Sequence, residues 1–212
     1  MEITWVGKSC FFIKTSMGKR ILTDPFKCDY VDSLNNVSYI TLSHNHFNND
    51  YMPENLKEST IIQNSDGLSS KDISIDCIES FHDEYAGKKR GVNRIFIFNF
   101  DNFRIAHLGH LGHLLDSDSL KILENINILC IPVGGNFTID GHHASTICNQ
   151  INANIVIPMN YNLNINLSMI DGVDKFIPYM SNTKKIDSDT IILNDFISYK
   201  NQVLLLTPST YL

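Results

Sequence analysis

No stretch of the 212 residues approaches the ~18 consecutive apolar residues that a membrane-spanning helix needs, so a membrane partner is not expected. Ser9–Ile13 is too short and too close to Glu2 to serve as a secretion signal, and the expected location is cytoplasmic. Basic residues are scarce. Seventeen Lys and Arg against 23 Asp and Glu give a net charge of −6, which argues against extended contact with nucleic-acid phosphates. Five cysteines (Cys10, Cys28, Cys77, Cys130, Cys148) are odd in number and never paired as C-x-x-C, so neither a disulfide framework nor a thiolate zinc knuckle is expected. They read as small buried hydrophobes. No internal repeat and no Pro/Gly linker divides the chain, and residues 1–212 are expected to form a single domain. Apolar residues make up 43% and charged ones 19%, ample material for a core and far from the signature of disorder.

What is present begins as strands. Glu2–Val6, Cys10–Thr15, Arg20–Thr23 and Val37–Ser43 read as short β-segments, followed by Ile61–Gln63, Ile73–Ser80, Arg94–Phe100 and Arg104–Leu108, the last two joined by a tight turn at Asp101-Asn102. After residue 116 the period changes. Asp116 and Asp140 look like helix starts, a further helix is expected over Asp171–Met180, and Ile128–Pro132, Ile155–Pro158 and Gln202–Leu206 read as buried strands between them. Such a pattern predicts sheet layers covered by helices. Seven asparagines fall between Asn149 and Asn166, a bias that fits compositional drift better than a functional loop.

Eight histidines are few enough to inspect singly, and they cluster at strand ends. His44-x-His46 follows one strand, His82 another, and His107-x-x-His110-x-x-His113 a third. Loops at one edge of a sheet converge, and imidazoles from several such loops are how proteins assemble a zinc or iron site with an open position. His142 and His143 follow Asp140 at a helix start and read as exposed residues, and His113 reads as part of a turn.

The string Ser43-His44-Asn45-His46-Phe47-Asn48-Asn49-Asp50 resembles the H-x-H-x-D-H loop of the metallo-β-lactamase superfamily. Thr4 to Phe11, Leu22 to Phe26, Phe81 to Gly91, His107 to His113, Pro132 to Asp140 and Pro158 to Tyr161 follow in family order. Over nearly the full length the chain resembles the bacterial branch of small metal-dependent hydrolases distantly related to ascorbate-phosphate lactonases. The resemblance implies an α+β fold, an αββα four-layer sandwich with a metal site at one edge. It also implies that His44, His46 and His82 hold a first metal, that Asp24 supports the histidine loop, and that a second metal would be held at the positions of Asn48, Asn49 and Asn160 and bridged at that of His110.

All four of those second-metal positions depart from the family pattern. Replacing both carboxylates removes the negative charge that two metals need, and neutral amide oxygens are poor substitutes. The expectation is one zinc or other divalent metal per chain at most, or none, with His110 as a fourth ligand. Lys8 stands where many relatives carry His, and its ammonium is expected near the vacated volume. Two functions follow. The departures favour a catalytically impaired or inactive member acting as a binding or regulatory module. The alternative is a mononuclear zinc-dependent hydrolase of a small anionic substrate, with His110 or Asp50 as the only candidates for catalytic base. Lys88, Lys89 and Arg90 are the expected contacts for that anion. No nucleic-acid partner is expected, and the oligomeric state is open.

Overall fold

The computed structural model describes residues 1–44, 52–64, 66–163, 169–194 and 199–211. Among the described residues fourteen strands form two sheets: β1 Glu2–Gly7, β2 Cys10–Lys14, β3 Arg20–Thr23, β4 Tyr39–Thr41, β5 Thr60–Ile62, β6 Leu68–Ser69, β7 Ser74–Phe81, β8 Val92–Phe100, β9 Phe103–His107, β10 Ile128–Pro132, β11 Ile155–Met159, β12 Thr183–Lys185, β13 Thr190–Ile192 and β14 Gln202–Leu205. The first sheet runs β13-β1-β2-β3-β4-β5, and the second runs β12-β14-β11-β10-β9-β8-β7-β6. Helices α1 (Asp29–Ser33), α2 (Ser117–Ile122) and α3 (Gly141–Ile151) and short 3-10 turns make up the rest of the regular structure among the described residues. Among the described residues no helix is long and apolar enough to cross a membrane.

Strand alternation builds the layers. Ile3, Trp5, Phe11, Ile13 and Ile21 point into a core shared with Ile95, Phe96 and Phe98 of the second sheet. Their alternates Val6, Cys10, Phe12, Leu22 and Ile40 form a smaller cluster with Val31 and Leu34 of the α1 region. One sheet face therefore packs on the other sheet and the opposite face on a helix, because side chains on a strand alternate with period two. On the far side, α3 buries Ala144, Ile147, Cys148 and Ile151, spaced for one helical face, into the larger core. Asp140 caps its N-terminus by accepting from the His143 N–H at 2.8 Å, and Asn152 ends it in the left-handed region.

One expectation is corrected here. Asp171–Met180 is not one α-helix but two 3-10 turns, Val173–Lys175 and Ile177–Tyr179; Pro178 removes a backbone donor and restricts Ile177 before it. Asn36, Asn102, Asn125, Asn136, Asn152, Asn160 and Asn201 adopt positive φ, which Asn tolerates better than most residues; two of them, Asn152 and Asn160, belong to the asparagine-rich stretch.

Topology sets the edge at which chemistry can gather. β7 and β9 are both antiparallel to β8, and β10 and β11 run parallel to β9, so all four end at the same edge. The end of β4 is tied there from the other sheet: Arg94 N–H donates to Ser43 O at 2.7 Å, and His44 bridges Asn93.

Candidate metal centre

His44 follows β4, His82 follows β7 and His110 follows β9, and at the shared edge one ring nitrogen from each lies within 4.8 Å of the others. His44 and His82 are buried, and His110 is half-buried. The His44 ring stacks on His110 with centroids 3.8 Å apart, while His82 stands edge-on to both.

His44 and His110 are held from behind. The Ser43 hydroxyl donates to Asp24 Oδ2 at 2.6 Å, which leaves its lone pairs facing His44 Nδ1 at 2.7 Å. Nδ1 therefore carries the proton and donates to Ser43, so the Nε2 lone pair is the one available to a ligand. Asp24 also accepts the Ser43 backbone N–H at 2.7 Å, and it does so from a left-handed conformation, φ 41°, uncommon for a buried non-glycine residue. His110 places Nε2 3.1 Å from Ser9 Oγ and turns Nδ1 toward His82 Nε2, also at 3.1 Å. Behind Ser9, the buried His107 donates from Nε2 to the Ser9 carbonyl at 2.8 Å.

Asn93, fully buried on β8, braces the histidine loops. Its Oδ1 accepts the His110 N–H at 2.7 Å, and its Nδ2 donates to Leu108 O and to Ser80 Oγ. Gly109 permits this approach: a Cβ there would lie 2.5 Å from Asn93 Oδ1 and 2.5 Å from Ser43 Cβ, at a φ of +57°. Gly112 does the same against the backbone of His82 and Asp83. The two glycines of His107-Leu108-Gly109-His110-Leu111-Gly112-His113 are thus what lets three loops touch.

A cleft of about 510 Å³ opens beside His82, lined also by Tyr85, Lys89, Arg90, Phe137 and His143. Lys89 Nζ sits 3.6 Å from the Tyr85 ring centre, and the Arg90 guanidinium sits 4.2 Å from that of Phe137. Asp83 organises this basic loop, its carboxylate accepting four backbone N–H groups, from Tyr85, Gly87, Lys89 and Arg90. Burial works to raise the Asp83 pKa, but the four donors outweigh it and hold the carboxyl below its ordinary range. Asp83 is thereby committed to the backbone, and Lys89 and Arg90 of the loop line the cleft.

Of the residues singled out from the sequence, His44, His82, His110 and Asp24 come together, and Lys89 and Arg90 line the adjoining cleft. Lys88 is exposed and is not among the cleft's lining residues. The Lys8 ammonium rests over the Phe26 ring at 4.6 Å, with Lys8 exposed. Asn160 is a turn residue after β11, its N–H donating to Lys8 O at 3.1 Å. His46, Asn48, Asn49 and Asp50 lie outside the described residues. His113 accepts the Phe81 N–H and donates to Leu114 O, a turn role. Asn93, Ser9 and Ser43 went unnoticed in the sequence; only Ser43, beside His44, carried a positional signal.

Comparison with known proteins follows the same lines. The β-lactamase superfamily domain model matches residues 2–160. A UPF0173 protein of Pyrococcus abyssi is 29% identical over 182 residues, covering 76% of this chain and 83% of that protein. A UPF0173 metal-dependent hydrolase of Brucella ovis is 25% identical over 223 residues, covering 85% of this chain and 92% of its own length. Among solved structures, a Thermotoga maritima chain assigned to the Zn-dependent hydrolases of the metallo-β-lactamase superfamily superposes with a TM-score of 0.80. Its identity is 27%, over 96% of this chain and 97% of that one.

Proposed function

Because the chain belongs to the metallo-β-lactamase superfamily, we propose that it is a metal-dependent hydrolase working with a single metal ion on a small anionic substrate. His44, His82 and His110 are the described residues that would hold the metal; His46 of the expected set lies outside the described residues. The observation that carries this reading is the chain Asp24–Ser43–His44, which fixes one imidazole in the tautomer a metal requires. A site adrift after loss of function would be expected to lose such supporting bonds along with its ligands. Three imidazoles within 4.8 Å are also a donor set that suits zinc or iron.

A divalent metal held there would supply Lewis-acid chemistry, polarising the scissile bond and making water more acidic. The chain's own residues do the rest. Ser43 and Ser9 hold His44 and His110 from behind, and Asn93 fixes the loop that carries His110. Lys89 and Arg90, stiffened by Asp83 and by their aromatic supports, present positive charge to the anionic part of a substrate.

One observation favours the second reading, a binding module: the group gathered within 4.8 Å contains no carboxylate to accept a proton. The two are separated by loading the protein with zinc, manganese or iron and assaying lactone, phosphodiester and thioester hydrolysis. Metal-dependent turnover supports the hydrolase; one tightly held metal with no turnover, and saturable binding of an anion lost on Lys89→Ala, supports the module.

A further inference from the structure

Among the described residues the group gathered at the metal centre contains no carboxylate, and the cleft beside it contains a proton acceptor that the family pattern does not use. α3 begins at the rim of that cleft. The loop before it is fastened to the histidine loop by the Ile139 N–H, which donates to Leu111 O at 2.9 Å, and Gly112 of that same loop lies against His82 and Asp83. His143, in the first turn of α3, lines the cleft together with His82, Lys89 and Arg90. Its Nδ1 lies 2.9 Å from Asp140 Oδ1, the oxygen that also accepts the His143 backbone N–H at 2.8 Å. A carboxylate cannot donate, so Nδ1 carries the proton and Nε2 keeps its lone pair. The ring is about half exposed, and among the described residues Nε2 makes no hydrogen bond. His142, the residue before it, packs edge-on against Tyr179 at 5.2 Å and against the His143 ring at 5.8 Å.

We infer that His143, oriented by Asp140, is the proton-transfer residue of the cleft. The inference rests on the hydrolase reading. As the oxygen of an attacking water bonds to the electrophilic carbon or phosphorus, one water proton passes to Nε2. The bond to the leaving-group oxygen breaks, and the imidazolium returns the proton to that oxygen, so the sum is addition of one water across the scissile bond. Asp140 stabilises the imidazolium in between, in the manner of a carboxylate behind a catalytic histidine.

The test uses the full chain loaded with zinc and two probes, dihydrocoumarin and bis(4-nitrophenyl) phosphate. His143→Gln should lower kcat about 100-fold on whichever probe is turned over, with KM, zinc content and melting temperature unchanged. His142→Gln should leave kcat alone. Nitrogen-15 NMR of the wild-type ring should show the proton on Nδ1, and Asp140→Asn, which still caps the helix, should lower kcat by removing the charge. A kcat indifferent to His143→Gln, or a proton found on Nε2, overturns the proton-transfer role and leaves the hydrolase reading standing. A zinc-loaded wild-type protein that turns over neither probe overturns the hydrolase reading, and this role falls with it.

Discussion

At the scale of single residues, the candidate centre is governed by which nitrogen of each imidazole holds its proton. For His44 that choice is made one residue away: Ser43 passes the influence of the buried Asp24 to Nδ1. Ser43→Ala and Asp24→Asn should each weaken zinc affinity about 10- to 100-fold while sparing all three imidazoles, as loss of an orienting partner does elsewhere. Competition titration with a zinc chelator measures it, and an unchanged affinity would break the argument. His107 makes a different prediction. Burial pushes its pKa down, against the opposing pull of Asp24 and the Ser9 carbonyl, so the folded chain keeps it neutral where the unfolded chain would protonate it. The unfolded state then binds more protons below the ordinary histidine value near ~6.5, and stability falls as pH drops from there toward the lowered folded value. His107→Gln, which can still donate to Ser9 O, should show a shallower loss of melting temperature between about pH 6.5 and 5 in metal-free protein.

At the scale of elements, the site exists because two sheets are tied at one edge. Asn93 is that tie: from β8 it holds the His110 N–H, Leu108 O and Ser80 Oγ, and its backbone bridges His44. Asn93→Leu would leave these buried groups without partners, at about 1–3 kcal/mol for each. The variant should unfold at lower urea concentration than wild type and bind zinc more weakly. Ser80→Ala, which removes one hydroxyl at the margin of the same network, should cost less on both counts. Equal losses for the two would mean that Asn93 matters for packing alone. The short edge elements make a contrasting case. β12 and β13 consist of three residues each and neither is expected from the sequence; both form because β14 and β1 offer unpaired edges.

For the molecule as a whole, the question is how many metals the sandwich accommodates. One is the expected count, since Asn160 serves a turn and the family resemblance implies a carboxylate where His110 turns toward His82. Elemental analysis after loading should find no more than one ion per chain, and two tightly held ions would refute the argument from lost charge. Binding only the folded state, the metal should raise the melting temperature, with roughly 4 kcal/mol gained at 1,000 times its Kd. Removal by chelator should return the protein to its metal-free melting point without unfolding it, because two continuous cores hold the sandwich independently of the edge site.

Most of the strands, the helix starts at Asp116 and Asp140 and the burial of Cys10, Cys130 and Cys148 were legible in the sequence, because periodicity and capping chemistry are local, while Cys28 and Cys77 are only partly buried. So was the set of histidines worth watching, since each stands just beyond a strand. The sequence by itself could not say that His110 would turn Nδ1 to His82, that Asp83 would spend its charge on four backbone amides, or that His143 would share a cleft with His82. The histidine pairings join residues dozens of positions apart and are decided by how β4, β7, β9 and the start of α3 meet, whereas the Asp83 amides lie within seven positions of it and depend on how that loop folds back. The helix expected over Asp171–Met180 failed for the opposite reason, since Pro178 was a local signal outweighed by an apparent apolar period. Local chemistry chose the elements, and the convergence of chain ends at one sheet edge chose which of their side chains could act together.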